Sequence, residues 1–431
     1  YDWEEDHENY LYTESKVVYD SFQMYAITSK QRAAEDLYLS THATMDYRTL
    51  SPRNVKDINN NHSAVETDEL GMVIATATYE KEGDKAGDAP LSKFVPKSVG
   101  DLEELLVTDP LNYIQKAGGF IHYEFAEYDE TVKRWKPAYV VSLSRTVYKP
   151  TQVEEIQRSI TYNDGFGRVI ESKAYVGEGE MTLSNETESN RWLASGRVVY
   201  NGKGEVCKSY LGYFSDSYEH EAEWEEKIKE QLPNPSKFEY DAAGRQIKTI
   251  TPQEFYSRTL IVNAWATQYF DENDTLVLAD YEQTTVWQEM TEEEQAAIET
   301  AVPFYNTPST MVVDTLGRQI IAVSDNHSGR TPETDPINWE KTRLTAADVN
   351  PEDADLLVSW QAFDIQGRVV RQADARLNET NQNLDEAERQ YNFKHRYPIA
   401  GGMMYSESSD AGISRAYSLR NLGKSFRKFL K

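Results

Sequence analysis

The chain has 431 residues, 39% hydrophobic and 12% aromatic, enough for one extended repeat architecture or for about two or three ordinary domains. It carries 72 Asp and Glu against 45 Lys and Arg, a formal charge of −27, so nucleic acid and anionic membrane surfaces are repelled and excluded as expected partners. One cysteine, Cys207, permits no intrachain disulfide, and the seven histidines add no cysteine-rich zinc pattern.

No apolar run reaches the roughly 18 residues of a membrane span, so direct membrane insertion is not expected. The chain opens on Tyr1, and we expect it to be a stretch of a longer polypeptide. The first strong strand signal is "TDELGMVIATATY" at 67–79: a polar bend, then β-branched alternation. The stretch "KEGDKAGDAPLSK" (81–93) reads as a loop. At 99–117, "VGDLEELLVTDPLNYIQKA" reads as one or two short helices broken at Pro110. The bend recurs at 162–175, "YNDGFGRVIESKAY", and with Asn for Asp at 198–210, "VVYNGKGEVCKSY".

An acidic helix is expected over 217–232, ended by Pro233. "FEYDAAGRQIKTI" follows at 238–250, and "QYFDENDTLVLADY" (268–281) reads as a looser hairpin bent at Asn273 and Asp274. In "TEEEQAAIETAV" (291–302), Thr291 and Glu294 form a capping box. The three helical segments are expected as insertions on the outside of a sheet, because their charges resist burial. Two further copies stand at 312–325, "VVDTLGRQIIAVSD", and 362–374, "AFDIQGRVVRQAD", separated by a loop-like stretch over 325–355. The segment 376–391 is a short helix or an exposed loop, and the basic end "LRNLGKSFRKFLK" reads as a solvated tail.

In each copy a short strand precedes the acid and another follows the glycine. Two strands joined by D-x-x-G make a β-hairpin, in which the Asp hydrogen-bonds the turn backbone and the Gly takes a positive φ. The residues in these roles are Asp68 and Gly71, Asp164 and Gly167, Asn201 and Gly204, and Asp241 and Gly244 with Arg245. Asp314 and Gly317 with Arg318, and Asp364 and Gly367 with Arg368, complete the set. Gly423 is a further turn candidate.

The same acids could be read as a glycosidase pair, but an Asp that recurs with its Gly already has a structural task, which a single catalytic pair does not require. "DENDT" (271–275) lacks the Gly and the bidentate Glu of a calcium loop. "HEAEW" (220–224) lacks the second His of a zinc protease. No G-x-S-x-G or P-loop occurs. Cys207 falls in a strand, as an inert packed thiol. Trp192, Trp265, Trp287 and Trp360 are read as packing rather than sugar platforms. No catalytic residue, metal site or cofactor is expected.

The Y-D-x-x-G-R units resemble the YD repeats of RHS proteins. Longer stretches, among them "DYRTLSPRNVKDINNNHSAVETDELGMV" (46–73), "RWLASGRVVYNGKGEVCKSY" (191–210), "AWATQYFDENDTLVLADY" (264–281) and "SDAGISRAYSLRNLGKSF" (409–426), narrow the resemblance to the B component of bacterial Tc insecticidal toxin complexes. The resemblance implies an all-β fold of antiparallel hairpins forming part of a curved shell, with a few inserted helices, over 1–431. It implies a secreted, non-enzymatic container that encloses a cytotoxic polypeptide. Its partners would be the C component and the remainder of B, with the A-component translocation channel reached through the B propeller. The alternative is an adhesive or glycan-binding YD-repeat surface protein, and a third class is a carbohydrate-active enzyme.

Overall fold

The structure, a computed structural model, describes residues 14–34, 37–79, 87–130, 133–146, 155–183, 186–222, 228, 231–351, 353–373 and 375. The segment 376–391, the basic end with Gly423, residues 223–227 and 229–230 of the expected acidic helix, and 80–86 lie outside the described residues. The chain divides into two compact units, Tyr1–Val199 with Tyr210–Pro233 and Tyr200–Ser209 with Asn234–Lys431, each described by itself below. Among the described residues no helix is long and apolar enough to cross a membrane.

The described residues form mostly antiparallel, open β-sheets. One sheet has 12 strands, running from Ser15–Tyr19 to Tyr213–Ser215, and lies in the first unit. The other has 10 strands, from Val198–Tyr200 to Val369–Ala373. Along each sheet the strands follow in chain order, so each is a long meander. The two-stranded ribbon of Tyr128–Asp129 and Arg134–Trp135 stands apart in one connection.

The expected strand pairs around the corners are present. Ile156–Asn163 pairs with Val169–Glu180, Ser236–Tyr240 with Gln246–Ile250, Ser309–Val313 with Gln319–Asp325, and Leu356–Phe363 with Val369–Ala373. Alternation works as the sequence suggests: along Leu356–Phe363, Leu356, Val358, Trp360 and Ala362 are buried, and their neighbours are less so. Side chains two apart on a strand share a face, and that face carries the core.

Each unit has its own core. In the first, Val141, Leu143, Ile160, Phe120 and Trp192 of the sheet meet Leu105, Leu106, Tyr113 and Ile114. The last four belong to a π-helical turn, Glu104–Thr108, and a short helix begun by Pro110, Pro110–Ile114. These are the short helices broken at Pro110 that the sequence suggests; the apolar residues cover the sheet, Asp101, Glu103 and Asp109 are exposed, and Glu104 accepts from Tyr113 OH (3.0 Å). In the second unit Val312, Val323, Val358 and Phe270 pack with Leu344 and Val349. The irregular stretch 325–355 is therefore anchored by buried side chains, although among its described residues the helical structure is one short 3₁₀ turn, Ala347–Val349.

"QYFDENDTLVLADY" is not a hairpin. The strand Ala266–Phe270 pairs with Ser309–Val313, and "LVLADY" enters a helix, Leu278–Tyr281. Asp274 ties this bend to a distant segment instead of closing a hairpin turn. Its carboxylate accepts from Asp271 N (2.7 Å) and, 33 residues on, from Thr307 N (2.8 Å) and Oγ1 (2.7 Å). Thr291 and Glu294 form the capping box on Glu292–Glu299. In the 217–232 stretch residues 217–222 are not helical, Ile228 is fully buried, and Leu232 packs beside it.

Candidate functional site: the corner rims and a buried ionic cluster

Each corner is built by the same hydrogen bonds. At Asp314, Gly317 N donates to Asp314 O (3.0 Å) and Asp314 N to Arg318 O (2.9 Å), which closes the backbone loop. The Asp314 carboxylate then accepts from Leu316 N (2.8 Å) and Arg318 N (3.0 Å) on Oδ1, and from Arg318 Nε (2.7 Å) on Oδ2. Asp164 with Arg168, Asp241 with Arg245, and Asp364 with Arg368 repeat this set. Both oxygens are thus occupied by the corner's own backbone and guanidinium. Burial raises the Asp314 carboxyl, and the Arg318 side-chain and backbone bonds outweigh it, holding the group below the usual carboxylate range.

Two copies vary the chemistry without changing the geometry. At Asn201 the side-chain oxygen still accepts from Lys203 N (2.9 Å) and Glu205 N (3.0 Å), while Nδ2 donates to Glu205 Oε2 (2.7 Å). The Asp–Arg pair has become an Asn–Glu pair with donor and acceptor exchanged. At Asp68 the position after Gly71 is Met72, and Arg48 reaches in from another turn to the Asp68 carbonyl and to Thr67 Oγ1 (2.7 Å).

Three corners escaped the sequence reading. Asp57–Asn61 closes with Asn60 N to Asp57 O (3.1 Å) and Asp57 N to Asn61 O (2.9 Å), with Asn60 at φ 70° where the other corners have Gly. Thr251–Phe255 closes with Thr251 N to Phe255 O (2.7 Å), with Glu254 at φ 67°. Asp20–Tyr25 is a one-residue-longer version with Gln23 at φ 57°. The signal available was "DINN" at 57–60, since Asn is the non-glycine residue that best tolerates the left-handed region.

Gly317 sits at φ +75° with open space around a Cβ, so substitution there isolates the backbone term. Gly317→Ala is expected to cost about 1–2 kcal/mol, read as a lower urea midpoint with an unchanged slope.

Connections alternate between the two ends of the strands in a meander, so those two positions apart share a rim. In the first sheet the Asp68 corner joins the fifth and sixth strands and the Asp164 corner the ninth and tenth, which places both on one rim. In the second sheet the corners at Asn201, Asp241, Asp314 and Asp364 all fall on one rim, and the long connections 271–308 and 326–355 fall on the opposite one. Apolar side chains stand in water along the corner rims: Phe22, Leu70, Trp135 and Phe166 in the first sheet, Leu316 and Ile365 in the second, with Phe166 88% and Ile365 86% exposed.

The first unit also holds a buried ionic cluster that the sequence reading did not single out. Glu171 is fully buried; Arg197 Nη1 donates to its Oε1 (3.0 Å), as does Tyr213 OH (2.6 Å), and His220 Nδ1 lies 2.6 Å from Oε2. Arg197 also donates to the Glu221 carbonyl (2.6 Å). Lys173, fully buried, donates to the carbonyls of Ser217 (2.9 Å) and Glu219 (2.5 Å) and pairs with Glu221 at 3.5 Å. Burial by itself raises the Glu171 carboxyl, but His220, Lys173 and Arg197 outweigh it and lower the group to about 2. Burial lowers Lys173, and it raises Tyr213 far above its ordinary value. The cluster ties two neighbouring positions of one strand to the irregular segment 217–221.

Trp192 and Trp360 are buried, Trp287 packs edge-on against Tyr281 at 5.9 Å, and Trp265 is 42% exposed. Cys207 lies in the strand Val206–Ser209.

No protein-family model and no curated protein matches the chain. Solved structures do. The fold is shared with Tc toxin complexes. The crystal structure of TcdB2-TccC3 matches with a TM-score of 0.62 at 22% identity, over 86% of this chain and 16% of that one. A structure of the Photorhabdus luminescens Tc holotoxin pore matches with a TM-score of 0.63 at 20% identity, over 86% and 18%. The crystal structure of TcdB2-TccC3-Cdc42 matches with a TM-score of 0.61 at 20% identity, over 86% and 18%. The chain therefore spans less than a fifth of the length of each polypeptide it matches.

Proposed function

We propose that this chain is a non-enzymatic wall segment of a secreted RHS-repeat toxin complex, the B-component part of a shell that encloses a cytotoxic polypeptide and helps to deliver it. The observation that carries this reading is the repeated corner whose side-chain oxygens are occupied by its own turn, with the Asp- and Asn-glycine corners set along one rim of each sheet. A hydrolase needs carboxylates free to meet a substrate, and these are not. The shared fold and the small fraction of the matched polypeptides that the chain spans support the same reading. The partners are then the C component and the remainder of B, with the A-component channel engaged through the B propeller.

Protease protection tests this function. When the full polypeptide carrying this chain is assembled with its C component, the toxic segment is expected to survive a protease concentration that digests the free segment within minutes. Digestion of the assembled and free segments at the same rate contradicts the container. Retention on immobilised glycans, lost on substitution of exposed Trp265, would favour the adhesive alternative.

A further inference from the structure

The second unit carries, at the rim opposite its glycine corners, a cluster that the wall role does not use. Gln319–Asp325 ends at Asp325, and Leu356–Phe363 begins just after Asp355; the two strands are paired. Asn326 N donates to Asp355 O (2.8 Å), which closes the mouth of the connection between them. There His327 Nε2 lies 3.3 Å from Asp353 Oδ2 and 3.9 Å from Asp355 Oδ2. The three donor atoms lie within 4.8 Å of one another, the one such grouping of His, Cys, Asp and Glu found among the described residues.

We propose that His327, Asp353 and Asp355 bind a divalent transition-metal ion of the Zn²⁺ type, which clips the two ends of the 326–355 connection together. Three features of the geometry point to a metal. The imidazole is held from behind: Nδ1 lies 2.6 Å from Asp325 Oδ1, and Nε2 faces the two carboxylates. Asp325 is itself fixed by Arg330 Nη1 at 2.9 Å. A carboxylate that orients a ligating histidine through its second nitrogen is the usual support of a zinc ligand. Second, Asp353 directs Oδ1 to its own turn, accepting from Asp355 N at 3.0 Å, and leaves Oδ2 on the side of His327. Third, a tetrahedral zinc site with bonds of about 2.0–2.2 Å holds its donors about 3.3–3.6 Å apart. The two His327 separations, 3.3 and 3.9 Å, lie at or near that range, and the carboxylate oxygens, within 4.8 Å of each other, close on the ion when it binds.

One imidazole with two carboxylates suits Zn²⁺ or Mn²⁺ better than Ca²⁺, which takes six or more oxygen ligands. The side chain of Asp355 is 61% exposed, so water can complete the coordination from the open side. The ligands stand 26 and 28 positions apart in sequence from His327, and "DNH" and "DAD" carry no recognised spacing. Only the strand pairing brings them together.

The test is Zn²⁺ titration of the full polypeptide carrying this chain, against a chromophoric chelator, with circular dichroism confirming each variant's fold. The wild type is expected to bind one equivalent more than His327→Ala, and loss of a ligand is expected to weaken the site by at least about 10-fold. Asp355→Asn removes an exposed carboxylate, and so gives the same reading should His327→Ala fold poorly. Asp325→Asn, with all three ligands retained, is expected to weaken binding by about 10–100-fold. Zn²⁺ should raise the thermal midpoint of the wild type and not of Asp355→Asn. Equal stoichiometry and affinity in wild type and Asp355→Asn, or no wild-type binding at ~0.1 mM Zn²⁺, would overturn the proposal and leave the cluster as polar contacts between His327 and its neighbouring carboxylates.

Discussion

Glu171→Ala is expected to destabilise the first unit by about 3–5 kcal/mol, the cost of leaving buried cationic partners without their anion. Arg197 and Lys173 are almost wholly out of water, and Tyr213 and His220 would lose the acceptor they share. The double variant Glu171→Met, Arg197→Met is expected to be less destabilised than the sum of its single changes, because a buried pair removed together leaves no orphan charge. Urea midpoints of the four proteins give the coupling directly. The same group sets a pH dependence. Its carboxyl is lowered from 4.5 to about 2 in the folded chain, so its contribution is fully present above about pH 4.5 and is lost as the pH falls towards 2. An acid titration of Glu171→Gln should lack that component. An identical acid midpoint in wild type and Glu171→Gln would contradict the assignment.

Trp192→Ala is the second large effect, expected at about 3–5 kcal/mol because it opens a cavity in a close-packed core. Trp192 is 1% exposed, sits directly across from Tyr175 in the strand pairing, and meets the rings of Tyr175 and Tyr218 edge-on at 5.4 and 5.8 Å. It therefore joins the sheet to the irregular segment that the ionic cluster also holds. Trp192→Phe should recover part of the loss in the same urea experiment. A sugar-platform role predicts the reverse ordering of effects: lost ligand binding with stability intact.

The corners were legible because their chemistry is local. Asp, Gly and Arg meet within five positions, so the carboxylate, the left-handed residue and the guanidinium can be read from a single line of sequence. The Asp57 and Thr251 corners were not, because Asn60 and Glu254 occupy the left-handed position, and Glu254 is a residue that avoids it. "LVLADY" is a short apolar run that sequence alone does not assign to strand or helix; Asp274 bonds Thr307, 33 residues away, and Leu278–Tyr281 is helical. Glu171 and Lys173 stand two apart on Val169–Glu180 and so share a face. Strand periodicity therefore places them together, but only the later arrival of Arg197, Tyr213 and residues 217–221 buries them. The rim arrangement follows from counting strands in a meander, which requires knowing that each connection, however long, returns to the neighbouring position. In the segment 99–117 the helical turns are legible from Pro110 and the charged residues, but which leucines meet the sheet is set by packing, with Leu105 and Leu106 buried in the core.

In the proposed function these corners and sheets form a wall and not a catalytic cleft. An electron-microscopy image of the full polypeptide assembled with its partners tests it most directly. The account predicts a hollow particle in whose wall the strands 15–373 lie, with separate density inside. A solid particle without an internal space, or one in which Asp241, Asp314 and Asp364 converge on a shared cleft, would contradict it.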